Sequence, residues 1–519
     1  MTSIPASPAV AEPSAGPRAW KGLWVLASAL AMIVLDGTIV AVALPSIIAD
    51  LRLDLTDAQW VNSLYSVVFA ALLLTAGRLG DRWGRRRLLL IGLTVFVAGN
   101  VLAALAVSVT PLLMARAVQG IGGAMVLPST LSSVNATFRG PDRAAAFGVW
   151  GAVMAGAAAL GPLVGGVLTQ FASWPLIFWV NVPIGIAVIV GTLRLVDETS
   201  ADETAGGVDW AGPLLSAAGL GLIVFGLIES SSLGWWTQTE PLRLFGFTWP
   251  PTAPISPIPV ALAAGAMLLS GFVLVESRRQ RTGRATVLDL RLFRLTTFSL
   301  GNGTALLVAV GEFALLFVLP LFLVTSLALS VLAAGAVLAS MATGAFLSGA
   351  AARHLAARFG ATRVVVLGLV LELLGAGATA LAVAASASAW TLVATLLPYG
   401  LGLGLASAQL TSTTLRNVPS AQSGSASATQ STVRQLGAAL GTALGGTALA
   451  TALGSGSATT TLADPVTFAR ASGAALWVAV GILAVATLTA WGLDRASGRP
   501  ENRQPHQPTQ EAPCSFQPS

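Results

Sequence analysis

Lysine is nearly absent from this chain of 519 residues: Lys21 is the only one. A Walker A phosphate loop needs Gly-Lys followed by Ser or Thr, so none can form, and the chain does not by itself drive work with ATP. The single cysteine, Cys514, excludes an internal disulfide and any cysteine-based metal site. Two histidines, His354 and His506, leave little for a histidine metal site. Charge is scarce as well, at 10% of residues. No nucleophile–base constellation stands out. Gly400-x-Gly402-x-Gly404 and Gly219-x-Gly221 lie in apolar runs with no preceding strand, so they are not dinucleotide loops. No enzyme, cofactor or metal site is expected.

What the chain has instead is apolar length. Hydrophobic residues make up 55% of it, far more than a soluble chain of this size needs. Fourteen runs are long enough to cross a hydrocarbon core, near 20–44, 59–76, 88–107, 111–134, 144–169, 175–195, 210–229, 256–275, 297–322, 329–350, 364–386, 390–412, 421–451 and 471–492. The expectation is an all-α polytopic membrane protein with both termini cytoplasmic.

Loop charge tests that count. Arg18, Lys21, Arg139, Arg143, Arg194, the arginines from Arg278 to Arg294, Arg353, Arg358, Arg363, Arg416, Arg495, Arg499 and Arg503 all fall on one side. Arg52, Arg243 and Arg470 fall on the other, and Arg116 and Arg434 lie inside spans. Shifting the count by one helix destroys this asymmetry. The net charge of +6 therefore reads as membrane topology and not as a nucleic-acid footprint. Arg in place of Lys, with abundant Ala and Gly, hints at a high-GC bacterial genome and a bacterial cytoplasmic membrane.

The stretch from Gly77 to Arg87 concentrates five arginines and Asp81 between two apolar runs. It reads as a tight basic turn on the cytoplasmic side, in which glycines let helix ends approach and Asp81 caps a helix or pairs with an Arg. A loop that merely fixes topology is the alternative. The pattern Gly77-x-x-Gly80-Asp81-Arg82-x-Gly84-Arg85-Arg86 resembles the loop between helices two and three of the major facilitator superfamily. The resemblance implies a latch that holds the two halves of a transporter in one conformation. A partial echo, Arg358-Phe359-Gly360-Ala361-Thr362-Arg363, lacks the carboxylate. Two similar halves suggest a site between them.

Leu35-Asp36-Gly37-Thr38 leading to Ala43-Leu44-Pro45 is similar to the first-helix motif of the fourteen-helix drug:proton antiporter branch, EmrB/QacA-like. A carboxylate inside a membrane helix is costly and usually functional. Arg116-x-x-Gln119-Gly120 looks like the family's helix-four motif. At about 1.5 Å per residue Asp36 and Arg116 come to similar depth, so a direct or water-bridged pair is feasible. A fixed structural ion pair is the alternative.

Gly156 with Gly161-Pro162 and Gly165-Gly166 resembles the antiporters' helix-five motif, which marks exporters over importers; plain glycine packing is the competing account. Trp174-Pro175-Leu176-Ile177-Phe178 to Asn181-x-Pro183-x-Gly185 is similar to the same branch's next motif, with Pro175 and Leu176 departing from it. A contact made there by other members is in doubt. Asp209-Trp210-Ala211-Gly212 resembles the branch's start of helix seven.

Glu312 lies mid-span in the ninth run and Glu372 mid-span in the eleventh; Glu229 sits near the outer end of the seventh. Glu312 ranks first for proton or cation work, Glu372 second, and Glu229 reads as interfacial. Arg434-Gln435-x-Gly437 resembles a further family motif, and Arg434 could bind an anion or partner Glu312. A buried pair with packing glycines is the alternative.

The resemblance covers residues 20–492. It implies a six-helix bundle (20–196), a linker with two extra helices (197–295) and a second six-helix bundle (296–492); the N-terminus (1–19), rich in Pro, Ala and Ser, and the Pro- and Gln-rich cytoplasmic tail (493–519) read as disordered from their composition. Within the linker, 196–208 reads as polar and flexible, and 230–255 as a long outside loop whose Trp235, Trp236 and Trp249 sit at the membrane interface. The implied function is proton-coupled efflux of a small hydrophobic or cationic drug or antibiotic by a monomer in the lipid bilayer. A proton-coupled importer or metabolite facilitator on the same fold is the second reading.

Overall fold

The computed structural model describes residues 16–199, 211–244, 247–250, 252–284, 286, 288–419, 422–454 and 464–497. In hydrocarbon no water pairs with the backbone, so each spanning segment must satisfy its own N–H and C=O groups, and an apolar run can do so only as a helix. Among the described residues there are fourteen such spans. They are α1 (Pro17–Leu51), α2 (Leu55–Trp83), α3 (Arg85–Ala104), α4 (Val109–Thr137), α5 (Gly140–Phe171), the joined pair α6 (Leu176–Trp179) and α7 (Asn181–Leu195), α8 (Ala211–Leu233), α9 (Pro257–Arg281), α10 (Thr296–Thr325), α11 (Val331–Phe359), α12 (Ala361–Ala384), α13 (Ala389–Thr414), α14 (Ser423–Leu453) and α15 (Pro465–Ser497). The expectations for residues 1–15, for the 200–208 part of the linker, for Asp209 and Trp210, and for the tail beyond 497 fall outside the described residues.

The helices run past the apolar stretches that announce them. The longest, α1, has 35 residues, roughly 52 Å at 1.5 Å per residue, against a hydrocarbon core of about 30 Å. Their ends are set by local chemistry. Asp54 caps α2 by accepting from the Asp57 N–H at 2.7 Å, and Ser330 caps α11 by accepting from the Ala333 N–H at 3.2 Å.

One packing scheme occurs twice. In the first half α1 packs on α5 and α7, while α4 takes α2 and α3. In the second half α10 packs on α14 and α15, while α13 takes α11 and α12. The repeat extends to the turns. Gly84 alone separates α2 from α3 at φ +105°, and Gly360 alone separates α11 from α12 at φ +87°. Both are conformations that a side chain disfavours. So the faint sequence echo marks equivalent corners of two six-helix bundles.

Glycine also sets the spacing inside the second bundle. Gly400 lies on the Met341 backbone and Gly404 on the Ala345 backbone, both in α11, whereas Gly402 faces the opposite way, onto Gly368 and Glu372 of α12. Helix α13 is thus held between two neighbours at backbone contact, the form of packing that stabilises helices in lipid.

The halves meet through α2 with α14, α5 with α11, and α1 with α10 and α11. The cross-half contacts named by residue lie toward the Arg-poor end or at mid-depth: Gly335 of α11 against Pro162, Gly166 of α5 against Val331 and Leu332, Gly446 of α14 against Gln59, and the Ser63 hydroxyl donating to the Ala439 carbonyl at 3.4 Å. The inserted helices α8 and α9 pack on each other, and α8 also touches both α2 and α14. It therefore straddles the seam.

Two expectations need correction. The linker is not free from residue 196 onward. Asp197 pairs with Arg18 at 3.3 Å, and the Thr199 carbonyl accepts from the Arg85 N–H at 3.0 Å. An acidic stretch next to an arginine block is drawn onto it. The stretch 230–255 is not all loop either. Helix α8 continues to Leu233, and β1 (Leu242–Leu244) pairs antiparallel with β2 (Phe247–Trp249), Leu242 opposite Trp249. The Trp249 indole donates to the Ile255 carbonyl at 3.1 Å, which fixes the hairpin to the chain leading into α9.

Candidate functional site

Asp36 is fully buried in the first half, and so are the side chains that close around it. Arg116 Nη1 donates to Asp36 Oδ2 at 2.8 Å. Asn181 Nδ2 donates to Asp36 Oδ1 at 3.1 Å, and Gln119 Nε2 to the same oxygen at 3.3 Å. Arg116 is itself held from several directions. It donates to Gln119 Oε1 at 2.8 Å and to the Val61 carbonyl at 3.0 Å, and its guanidinium sits 4.4 Å from the centroid of the Tyr65 ring. Asn100 Oδ1 accepts from Asn181 at 2.8 Å. A buried ion pair tolerates its desolvation only when hydrogen bonds satisfy its remaining donors and lone pairs, and α2, α4 and α7 supply them here. Sequence reasoning brought Asp36 and Arg116 to one depth. It did not single out Asn100 or Tyr65; Gln119 and Asn181 were visible only as letters in motifs.

The helix-five glycines explain how α1 is held. Gly161 lies on the Thr38 side chain and Gly165 on Ile39, where an added Cβ would stand 2.9 Å from the Ile39 carbonyl. The turn of α1 that follows Asp36 is thus cupped by α5. The other face of the same α5 segment carries Pro162 and Gly166 against α11. One short run therefore touches both the Asp36 helix and the opposite half. Gly156 has open space where a Cβ would go, so it has no such contact.

In the second half Arg434 Nη2 lies 3.5 Å from Glu312 Oε2. This pair differs from the first in its access to water: the Arg434 side chain is 48% exposed, while that of Arg116 is 1%. Arg434 stands roughly 16 Å from the Arg-rich start of α14 at 1.5 Å per residue, deep within a spanning helix. Arg434 is thus half-exposed at mid-helix, nearer the Arg-rich end than the Gly446–Gln59 contact further along α14. Glu372 is fully buried, and neither of its oxygens has a hydrogen-bond partner. Glu229 is not in this cluster. It accepts from the Trp60 indole at 2.9 Å and from the Ser232 hydroxyl at 2.9 Å, tying α8 to α2, while the Thr447 hydroxyl of α14 donates to the Leu227 carbonyl at 2.6 Å.

The basic corner is ordered by acids. Arg85 forms two bonds to Asp81 Oδ1, at 2.8 and 3.1 Å, and reaches the Ser132 carbonyl of α4 at 3.4 Å. Glu198 accepts from the N–H groups of Arg86 and Arg87 at 3.0 and 3.2 Å, so it caps α3. Arg86 Nη2 donates to the Leu193 carbonyl at 2.5 Å. Gly77 and Gly80 of α2 face Pro128 and Ser129 of α4. Arg82 is exposed. The partners named here all belong to the first half or to the residues just after it. Glu198 was missed by sequence reasoning, which read its segment only as linker.

The model of the Major Facilitator Superfamily matches residues 26–442, with a second match over 301–516. The chain belongs to the major facilitator superfamily. Membership makes it a multi-pass membrane transporter and not an enzyme. Within the superfamily it is 32% identical over 428 residues to the tetracenomycin C resistance and export protein of Streptomyces glaucescens, covering 82% of this chain and 75% of that one. It is 34% identical over 431 residues to the multidrug efflux pump LfrA of Mycolicibacterium smegmatis, covering 83% and 81%. It is 34% identical over 452 residues to a probable actinorhodin transporter of Streptomyces coelicolor, covering 84% and 74%. Among solved structures, a bacterial homologue of the human lysosomal transporter Spinster, inward-facing and unoccupied, superposes with TM-score 0.60 at 18% identity, over 93% of this chain and 98% of that one. The superfamily fold accounts for the doubled helix packing.

Proposed function

We propose that this transporter exports small hydrophobic drugs or antibiotics, cationic ones included, across a bacterial cytoplasmic membrane in exchange for protons. The observation that carries the reading is the pair of intramembrane carboxylate–arginine contacts, one per half: Asp36–Arg116 sealed, Glu312–Arg434 with its arginine half-exposed. Charges at such depth are costly and belong to ion or substrate pathways. The three relatives above are named for export, efflux or transport, one for resistance to and export of tetracenomycin C and one as a probable actinorhodin transporter.

The cycle follows from access. A proton reaches Asp36 only when rocking of the halves lets water in; once bound, it removes the charge that holds Arg116. The seam along α2/α14 and α5/α11 parts as the Arg-rich end closes. The glycine run of α5 joins these events, since it touches the Asp36 helix and the opposite half together. The Arg-rich end is cytoplasmic, by the charge of its loops. The Asp81–Arg85 corner acts as the latch, and the working unit is a monomer.

The test is a resistance profile. A pump-deficient bacterial host carrying this chain should tolerate lipophilic cations better than the same host carrying Asp36→Asn, and a protonophore should erase the difference. Equal tolerance in both strains contradicts proton coupling through Asp36.

A further inference from the structure

Within electrostatic reach of the Glu312–Arg434 pair lies a third acid with no evident use. Glu372 of α12 is 0% exposed, and neither carboxyl oxygen has a hydrogen-bond partner. Tyr399 of α13 is also 0% exposed, and its hydroxyl also lacks a partner. The two belong together. Gly402 lies on the Glu372 backbone, and a Cβ at Gly375, one turn further along α12, would stand 2.5 Å from Tyr399 N. That hydroxyl is the polar group placed beside the Glu372 carboxyl, short of a well-formed hydrogen bond.

Depth matches as well. Glu372 lies roughly 16 Å from the Arg-rich start of α12 and Arg434 roughly 16 Å from that of α14, at 1.5 Å per residue. The charged or titratable groups that act on Glu372 are Tyr399 from α13, Glu312 from α10 and Arg434 from α14. Helices α11 and α15 also pack on α12, but carry their charged groups near their ends: Arg353, His354 and Arg358 on one, Arg470, Asp494 and Arg495 on the other. The cluster thus contains two carboxyls and one arginine. Arg434 balances one negative charge. A second carboxylate, buried with a neutral hydroxyl as its neighbouring donor, has no further positive charge to balance it.

We propose that Glu372 is an interior proton-binding residue of the second half, loaded while Glu312 holds Arg434 and unloaded when a cationic substrate enters beside Glu312. Neutrality dictates the exchange. Loaded, the cluster comprises Glu312 carboxylate, Arg434 guanidinium and Glu372 carboxylic acid, with net charge zero. A cation entering beside Glu312 adds one positive charge. Glu372 then gives up its proton to water admitted by the movement, with the Tyr399 hydroxyl as the adjacent relay, and the net charge returns to zero. No bond other than O–H is made or broken. A neutral substrate requires no such release. This deepens the exchange reading above and rests on it for direction, but residence of a proton on Glu372 can be measured without transport.

The test uses the purified full-length chain in lipid nanodiscs. Infrared spectra at neutral pH should show a protonated-carboxyl C=O band in the wild type that is lost in Glu372→Gln and shifted in Tyr399→Phe. Adding tetraphenylphosphonium should release protons from the wild type, and at least fivefold fewer from Glu372→Gln. If Glu372→Gln does not fold, the shift in Tyr399→Phe decides alone. An unchanged carboxyl band in the variants overturns the inference, as does undiminished proton release from a folded Glu372→Gln. If the band behaves as expected but a pH gradient drives no drug movement in the wild type, the exchange reading fails while Glu372 keeps its proton. If the gradient drives drug movement and the band is unaffected, only this inference fails.

Discussion

Asp36 and Arg116, from α1 and α4, meet at 2.8 Å with side-chain exposures of 0% and 1%, and three amide side chains close the network around them. Removing one partner of a buried pair strands the other, at a cost of about 3–5 kcal/mol, whereas removing both costs much less. Asp36→Asn should therefore lower the detergent-solubilised melting temperature markedly. Asp36→Asn combined with Arg116→Gln should recover most of that loss and still not export. Thermal unfolding of the two variants beside the wild type checks this. Equal melting temperatures for both variants would mean that loss of Asp36 does not strand Arg116.

The seam at the Arg-poor end depends on missing side chains. Gly335 faces Pro162 across the two halves, and Gly166 faces Leu332. Gly335→Val should keep the halves apart there and favour the opposite opening. Spin labels on α5 and α11 near that end should then sit further apart than in the unsubstituted protein, and export should fall at least tenfold. Unchanged distances would show that the contact does not govern closure.

The α3 corner offers a smaller effect. Glu198 caps two N–H groups and Gly84 holds φ at +105°, with the Glu198 carboxylate 2.7 Å from where a Cβ would go. Loss of a cap of this kind costs about 0.5–2 kcal/mol, nearer the low end for a side chain that water reaches. Glu198→Ala should thus be mildly destabilising and Gly84→Ala more so, because it adds a backbone conformation unfavourable to alanine. Melting temperatures in that order support the corner as drawn; the reverse order does not.

Helix α8 is tied to both halves, by Trp60 to Glu229 and by Thr447 to the Leu227 carbonyl. Trp60→Phe keeps an aromatic ring at the site and removes the indole donor. It should loosen α8 from α2, seen as faster protease cleavage in the 234–256 segment, with export reduced only a few-fold. An unaltered cleavage rate would place the anchoring elsewhere.

How much of this was legible in sequence follows from what each feature requires. The spans were legible because hydrocarbon demands about 20 apolar residues apiece and the arginines fall between them with a consistent side. The ends were not, since polar turns extend a helix without an apolar signal; α11 reaches Phe359 and α1 reaches Leu51. The Asp36–Arg116 contact was legible because depth can be counted along a helix. The amides around it were not, because Asn100 on α3 and Asn181 on α7 are lone polar letters whose azimuth only packing fixes. The same holds for Glu198, whose partners lie more than a hundred residues back in the chain, and for Tyr399 beside Glu372.

The most direct measurement is drug movement in proteoliposomes of the purified chain under an imposed pH gradient. A lipophilic cation should move against its own concentration when the compartment that receives it is acidic, and stop when the gradient is collapsed; Asp36→Asn should show neither behaviour. Drug movement indifferent to the gradient, or intact in Asp36→Asn, would contradict the account.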